Sequence, residues 1–122
     1  VFSDDDSWLV INDHAGSGYS GVLLYRQKAG LEYEQVADLT EPAWKYFNQR
    51  NGFKATPFDH AYAAAACWAG IDPPTLLIRL SGHRSGPDGI LKQSQGWHCL
   101  YNTQTQSFST DLGALNKTSI KP

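Results

Sequence analysis

Thr56-Pro57-Phe58-Asp59-His60-Ala61-Tyr62-Ala63-Ala64-Ala65-Ala66-Cys67-Trp68-Ala69-Gly70 is the stretch on which the architecture turns. Thr56 is a capping residue, Pro57 suits the first position of a helix, and Asp59 places an acid in the first turn. Alanine has the highest helix propensity of any residue, and four stand in a row at 63–66. Gly70 then offers a stop. The stretch predicts a helix over 58–69, with small side chains that allow close approach to a sheet. Just upstream, Thr40-Glu41-Pro42-Ala43 reads as another helix start with Thr40 as cap, Trp44, Tyr46 and Phe47 as the apolar side, and Asn51-Gly52 as the end. Residues 40–70 thus read as a helical middle, and Asp72-Pro73-Pro74 breaks the chain after it.

Outward from this middle the chain repeats a plan. Trp8-Leu9-Val10-Ile11-Asn12 is a strand, 13–21 a loop with three glycines, Val22-Leu23-Leu24-Tyr25-Arg26 the return strand, and Glu32 to Leu39 a third. Downstream, Thr75 to Leu80 is a strand, 81–96 a second glycine-rich loop, Trp97 to Tyr101 the return, and Ser107 to Leu112 the third strand. Leu24-Tyr25 matches Leu100-Tyr101, and Ala37-Asp38-Leu39 matches Thr110-Asp111-Leu112. The expected fold is therefore α+β. Two antiparallel three-stranded β-meander units, 8–39 and 75–112, flank a helical segment, 40–70, in a β3-αα-β3 order and a single domain spanning 1–122.

With 122 residues, 41% hydrophobic and 18% charged, the chain is long enough for one core without a metal. The ten basic residues are scattered and the formal net charge is −2, which argues against nucleic-acid binding. The longest apolar run falls far short of the roughly 20 residues that span a bilayer, so no membrane partner is expected. The chain lacks an initiator Met and holds no Met at all, and it reads as processed or truncated. Cys67 and Cys99 read as a disulfide tying the helical middle to the second β unit, worth about 3–4 kcal/mol by loop closure. The alternative is two buried free thiols. The bridge and the processed start together imply a periplasmic or secreted location.

Chemistry-bearing patterns are few. Cys67-Trp68 resembles the Cys-Trp step of papain-like proteases. There the cysteine opens a helix, whereas here it falls near the expected helix end, where the dipole raises a thiol pKa. The four histidines, 14, 60, 83 and 98, lack metal-ligand spacing, and Asp4-Asp5-Asp6 lacks the alternation of a calcium loop. The glycines at 16–21 lead into an apolar strand, not into the helix a phosphate cradle needs. No catalytic residue, metal or cofactor is expected.

What remains is the pair of glycine-rich loops. They are longer than tight turns, such loops often carry function, and the two units differ most there. The candidate partner-binding residues are His14, Ser17, Tyr19 and Ser20 in one, and His83, Arg84 and Ser85 in the other. The competing reading is that both are plain connections. The segment Ser17-Gly18-Tyr19-Ser20-Gly21-Val22-Leu23-Leu24-Tyr25 resembles the Ser-Gly-x-x-Tyr loop region of bacterial periplasmic lysozyme inhibitors, although three residues rather than two separate Ser20-Gly21 from Tyr25. By analogy the resemblance extends to immunity proteins against peptidoglycan-cleaving toxins. It implies an inhibitor or immunity protein, not an enzyme, whose loops meet the catalytic groups of a secreted peptidoglycan-cleaving hydrolase. Two other classes stay open. One is a small-molecule or carbohydrate binder, for which Trp44 is the tryptophan free to stack, since Trp8, Trp68 and Trp97 fall in apolar elements. The other is a small hydrolase, for which no triad or carboxylate pair assembles.

Overall fold

The alanine-rich stretch is a strand. In a computed structural model, which describes residues 1–14, 19–56, 58, 60–71, 73–83, 93–110 and 120–121, His60–Ile71 forms a twelve-residue β-strand. In chain order the described elements are β1 (Trp8–His14), β2 (Tyr19–Ala29), β3 (Glu32–Asp38), α1 (Thr40–Asn51), β4 (His60–Ile71), β5 (Pro74–His83), β6 (Gln93–Asn102), β7 (Ser107–Ser109) and β8 (Ile120–Lys121). All eight strands belong to one mixed sheet. The α+β expectation with a helical middle is therefore wrong: among the described residues the chain is mostly β, with a single helix.

Helix propensity lost to pairing. β4 runs antiparallel to β5 from His60↔His83 to Ile71↔Pro74, bulging between Ala65 and Cys67 and between Trp68 and Gly70. Propensity differences of a fraction of a kcal/mol per residue are readily overridden by such a ladder and the burial it brings. The alternation is that of a strand: Ala63 and Ala65 are buried, Ala64 between them only half so. On the buried face these small side chains leave room for large rings. Trp44, Phe47, Phe58 and Trp97 join them in one core cluster.

The order along the sheet is β1-β2-β4-β5-β6-β7. β1–β2–β3 and β5–β6–β7 are each consecutive antiparallel runs. Two strands divide one edge between two neighbours. β2 pairs in parallel with β4 only through Tyr19↔Ala61 and Ser20↔Tyr62, then with β3 from Leu23 onward. β6 pairs with β8 at Gln93 and Ser94, then with β7 from Leu100. The internal repeat does not survive in detail. Leu24 is buried and Tyr25 half-exposed, whereas Leu100 is half-exposed and Tyr101 buried. The matched dipeptides thus face opposite ways, as a one-residue slip dictates.

α1 lies across the buried face. It begins at Thr40 as the sequence indicates, but Thr40 is not its cap. Asp38 Oδ1 accepts from the Thr40 N–H at 3.0 Å, while the buried Thr40 Oγ1 accepts from the Val22 N–H at 3.0 Å and ties the helix to β2. At the other end Gly52, at φ +78°, and Phe53 turn their N–H groups back to the Asn48 carbonyl. Phe47 meets Trp97 of β6 edge-on, ring centroids 5.2 Å apart, fixing the helix to the far half of the sheet.

The expected Cys67–Cys99 bridge is not formed; both cysteines are free. Cys67 sits opposite Leu77 and Cys99 opposite Ile78, so β5 stands between them and their side chains leave opposite faces. Two strand spacings amount to about 9–10 Å, beyond the roughly 7 Å that a disulfide spans between Cα atoms.

Candidate functional site

Strand register brings both candidate loops to one end of the sheet. His14 ends β1 opposite Ser20, Tyr19 opens β2 beside Ala61, His60 opens β4 opposite His83, and His83 ends β5 opposite Gln93. The 15–18 and 84–92 connections therefore leave the same rim. From β1 to β5 that rim crosses three strand spacings, about 14–15 Å. Three of the four histidines, 14, 60 and 83, sit on strand ends along it. His60 was not among the expected site residues, because it fell in the stretch read as a helix and outside both glycine-rich loops. Only the pairing of β4 with β2 and β5 reveals it.

The expected site residues fare differently. His14, Tyr19 and His83 occupy the rim as strand residues. Ser17, Arg84 and Ser85 lie outside the described residues. Ser20 is 2% exposed, and its hydroxyl donates to the Ala63 carbonyl at 3.1 Å. It completes the edge of β4 where β2 turns away. A partner has no access to it.

Asn12 does the same one step further on. Its Oδ1 accepts from the Ala65 N–H at 2.7 Å and its Nδ2 donates to the Ala65 carbonyl at 3.2 Å. A side-chain amide here stands in for a missing strand residue. Asp5, which the sequence does not suit to a calcium loop, organises a turn: Ser3 Oγ, Ser7 N–H and Ser7 Oγ all donate to its Oδ1, and these bonds lower its pKa.

On the open face of the sheet, Arg79 pairs across β5–β6 with His98, and its guanidinium lies over Gly96. A Cβ on Gly96 would run into the Arg79 guanidinium, which can shift, but Gly96 also has φ +97°, which favours glycine there. Burial, and then the Arg79 charge, lower the pKa of His98; a backbone hydrogen bond with Gly96 acts the other way.

Beside the rim, α1 with Thr56, Phe58 and Ala61 lines an open cleft of about 730 Å³, with Pro42, Trp44, Phe58 and Ala61 as its apolar walls. Ala61 belongs to both cleft and rim. Two buried atoms of the lining residues have no hydrogen-bond partner, Trp44 Nε1 and Asn48 Oδ1. Each such omission costs about 1–3 kcal/mol. Sequence reading singled out Trp44 as the tryptophan free to stack, but it is 6% exposed.

No family profile, curated protein or solved structure matches this chain. Among the described residues, no group of three His, Cys, Asp or Glu side chains is placed to hold a metal ion. No described helix is long and apolar enough to cross a membrane.

Proposed function

We propose that this domain is a protein-binding module that presents the 15–18 and 84–92 connections together, as one surface, to the cleft of a partner. The observation that carries this reading is the register that sets both connections on one rim. The strand ends that flank both connections are held by paired ladders, and small binding domains gain affinity from such preorganisation. The resemblance of 17–25 to lysozyme inhibitors supports a peptidoglycan-cleaving hydrolase as the partner. Within that segment the buried Ser20 takes no part, so contact falls to Ser17, Tyr19 and the 83–85 segment, with His60 beside them. The bridge that supported a periplasmic or secreted location is absent, and the location rests on the nature of the partner alone.

The test is stoichiometric inhibition of a panel of purified glycan-cleaving and peptide-cleaving cell-wall hydrolases. Inhibition of one of them is expected, lost on Tyr19→Ala combined with Arg84→Ala and kept on Lys28→Ala. A complex whose protected amides, mapped by hydrogen exchange, include neither connection overturns the reading.

A further inference from the structure

We propose that a groove at the end of the sheet opposite the rim is a binding site for a carboxylate, anchored on Arg26. The site is independent of the rim connections and of the reading built on them.

Strand register places its parts. Trp8 opens β1 opposite Arg26, Pro74 opens β5, and Asn102 ends β6 opposite Thr75. β4 separates these two pairs in the sheet, yet Trp8, Arg26, Pro73, Pro74, Gln104 and Gln106 line one groove of about 420 Å³, the size of a small-molecule site. Its far wall is pinned by backbone and side-chain bonds. The Thr103 N–H and Oγ1 both donate to the Pro74 carbonyl, at 3.2 and 2.7 Å, and Asn102 Oδ1 accepts from the N–H groups of Gln104 and Thr105.

Arg26 supplies the selection. It is exposed and is the one charged residue among those lining the groove. Its guanidinium carbon lies 5.4 Å from the centre of the Trp8 ring. A guanidinium held over an indole keeps its N–H donors for an acceptor. Glu34 stands opposite Arg26 across β2 and β3, but among the described residues no carboxylate pairs with it. The planar fork of a guanidinium takes a carboxylate through two parallel bonds, and one positive charge matches one negative. A phosphate group, at about −1.5 to −2, would need a second cation that the lining lacks.

Gln106 is the second observation. Its φ is +55°, a left-handed conformation that glycine adopts more easily. It lines both the groove and a recess of about 140 Å³ that shares Trp8, Arg26 and Thr103 with it. A side chain thus stands where glycine would be at ease, and its amide offers a further donor on the wall that Arg26 occupies.

The probes are N-acetylglycine and glucuronate, each beside its neutral counterpart, N-acetylglycinamide and glucose, with inorganic phosphate as a rival anion. Binding is followed through the Trp8 indole N–H resonance. At least one acid is expected to shift that resonance saturably and to bind about tenfold more tightly than its neutral counterpart, as a charge-assisted contact requires. Preference for N-acetylglycine marks a peptide end as the source of the carboxylate, and preference for glucuronate an acidic sugar; both uphold the site. Equal binding of acid and neutral counterpart, tighter binding of phosphate than of either acid, or no shift at Trp8 with any probe overturns the proposal. These measurements use the unmodified chain and stand even if a variant fails to fold. Arg26→Gln is expected to bring the acid down to the level of its neutral counterpart, and acid binding unchanged by it also overturns the proposal. Gln106→Gly is expected to keep or raise the thermal unfolding midpoint while weakening the acid about threefold or more, a split that a merely structural glutamine does not give. Loss of hydrolase inhibition by the rim variants, with acid binding intact, separates this site from the one proposed above.

Discussion

The side-chain amide of Asn12 pairs with the backbone of Ala65 as a strand residue would, accepting at 2.7 Å and donating at 3.2 Å. Together with Ser20 on Ala63 it finishes the edge of β4 where the two-residue parallel ladder with β2 ends. Asn12→Leu removes both bonds and is expected to cost about 1–3 kcal/mol, at roughly 0.5–1.5 kcal/mol per bond. Ser20→Ala is expected to cost about 1 kcal/mol without weakening partner binding. Urea unfolding midpoints check both, and an unchanged midpoint for Asn12→Leu denies the amide its role.

Gly96 is held by its own backbone as well as by Arg79. Gly96→Ala is expected to destabilise by about 1–3 kcal/mol, because φ +97° is strained for any other residue. Adding Arg79→Ala relieves the contact but not the backbone, so the double variant stays close to the single one. Full recovery in the double variant, read by thermal unfolding, means that the clash alone was responsible.

His98 sets a pH dependence of known sign. Its folded pKa lies below the ordinary 6.5, so the unfolded chain takes up the proton first. Its contribution is full above 6.5, is lost as pH falls from there through the folded pKa, and then levels off. The difference in urea midpoint between the unmodified chain and His98→Asn should change over that window and be flat above it. Arg79→Gln should raise the His98 titration midpoint, observed by NMR, yet leave it below the ordinary value, since burial is the larger cause.

The two thiols differ in reactivity. Burial pushes the Cys99 thiol up to about 12, while Cys67 is exposed. One thiol per chain should react with a disulfide reagent in the native protein at mild alkaline pH, and two in denaturant. Cys67→Ser should abolish the native reaction. A native protein with no reactive thiol and no mass change on reduction contradicts this placement.

Ala64 tests the conformation of β4 by the sign of an effect. It is half-buried on the open face, across from Arg79. A β-branched residue is favoured in a strand, on a scale spanning about 1 kcal/mol, and disfavoured in a helix. Ala64→Thr is therefore expected to leave stability unchanged or raise it, whereas a helical 58–69 would be weakened by the same substitution in thermal unfolding.

Much of the sheet is legible in local sequence. The apolar runs at 8–12, 22–26, 75–80 and 97–101 all lie within observed strands, and Thr40 and Gly52 mark the limits of α1. β4 is not legible in this way, because four alanines carry their preference locally while the partners that overrule it, β2 and β5, are remote or follow later in the chain. A threonine followed by proline opens a strand as readily as a helix, so Thr56-Pro57 did not discriminate. The missing signal was topological: two three-stranded meanders leave unpaired edges, and an alanine run is narrow enough to fill the gap under a helix full of rings. The rim followed the same logic. Its loops were legible from their glycines, their shared end only from the pairing of β4. The cleft was not legible at all, since it depends on where α1 lands.

The brief contact of β2 with β4 has a mechanical meaning. Two parallel residue pairs, the Asn12 and Ser20 side chains, and a helix fastened by Thr40 at one end and Phe47 in its body join the first three strands to the remainder, beside the apolar core they share. Between β4, β5 and β6 the ladders are long. Along the seam the three-stranded front can open as a cooperative unit while β4, β5 and β6 keep their pairing. Whatever settles along the rim from β1 to β5 spans this seam, and its occupancy would clamp the two halves together.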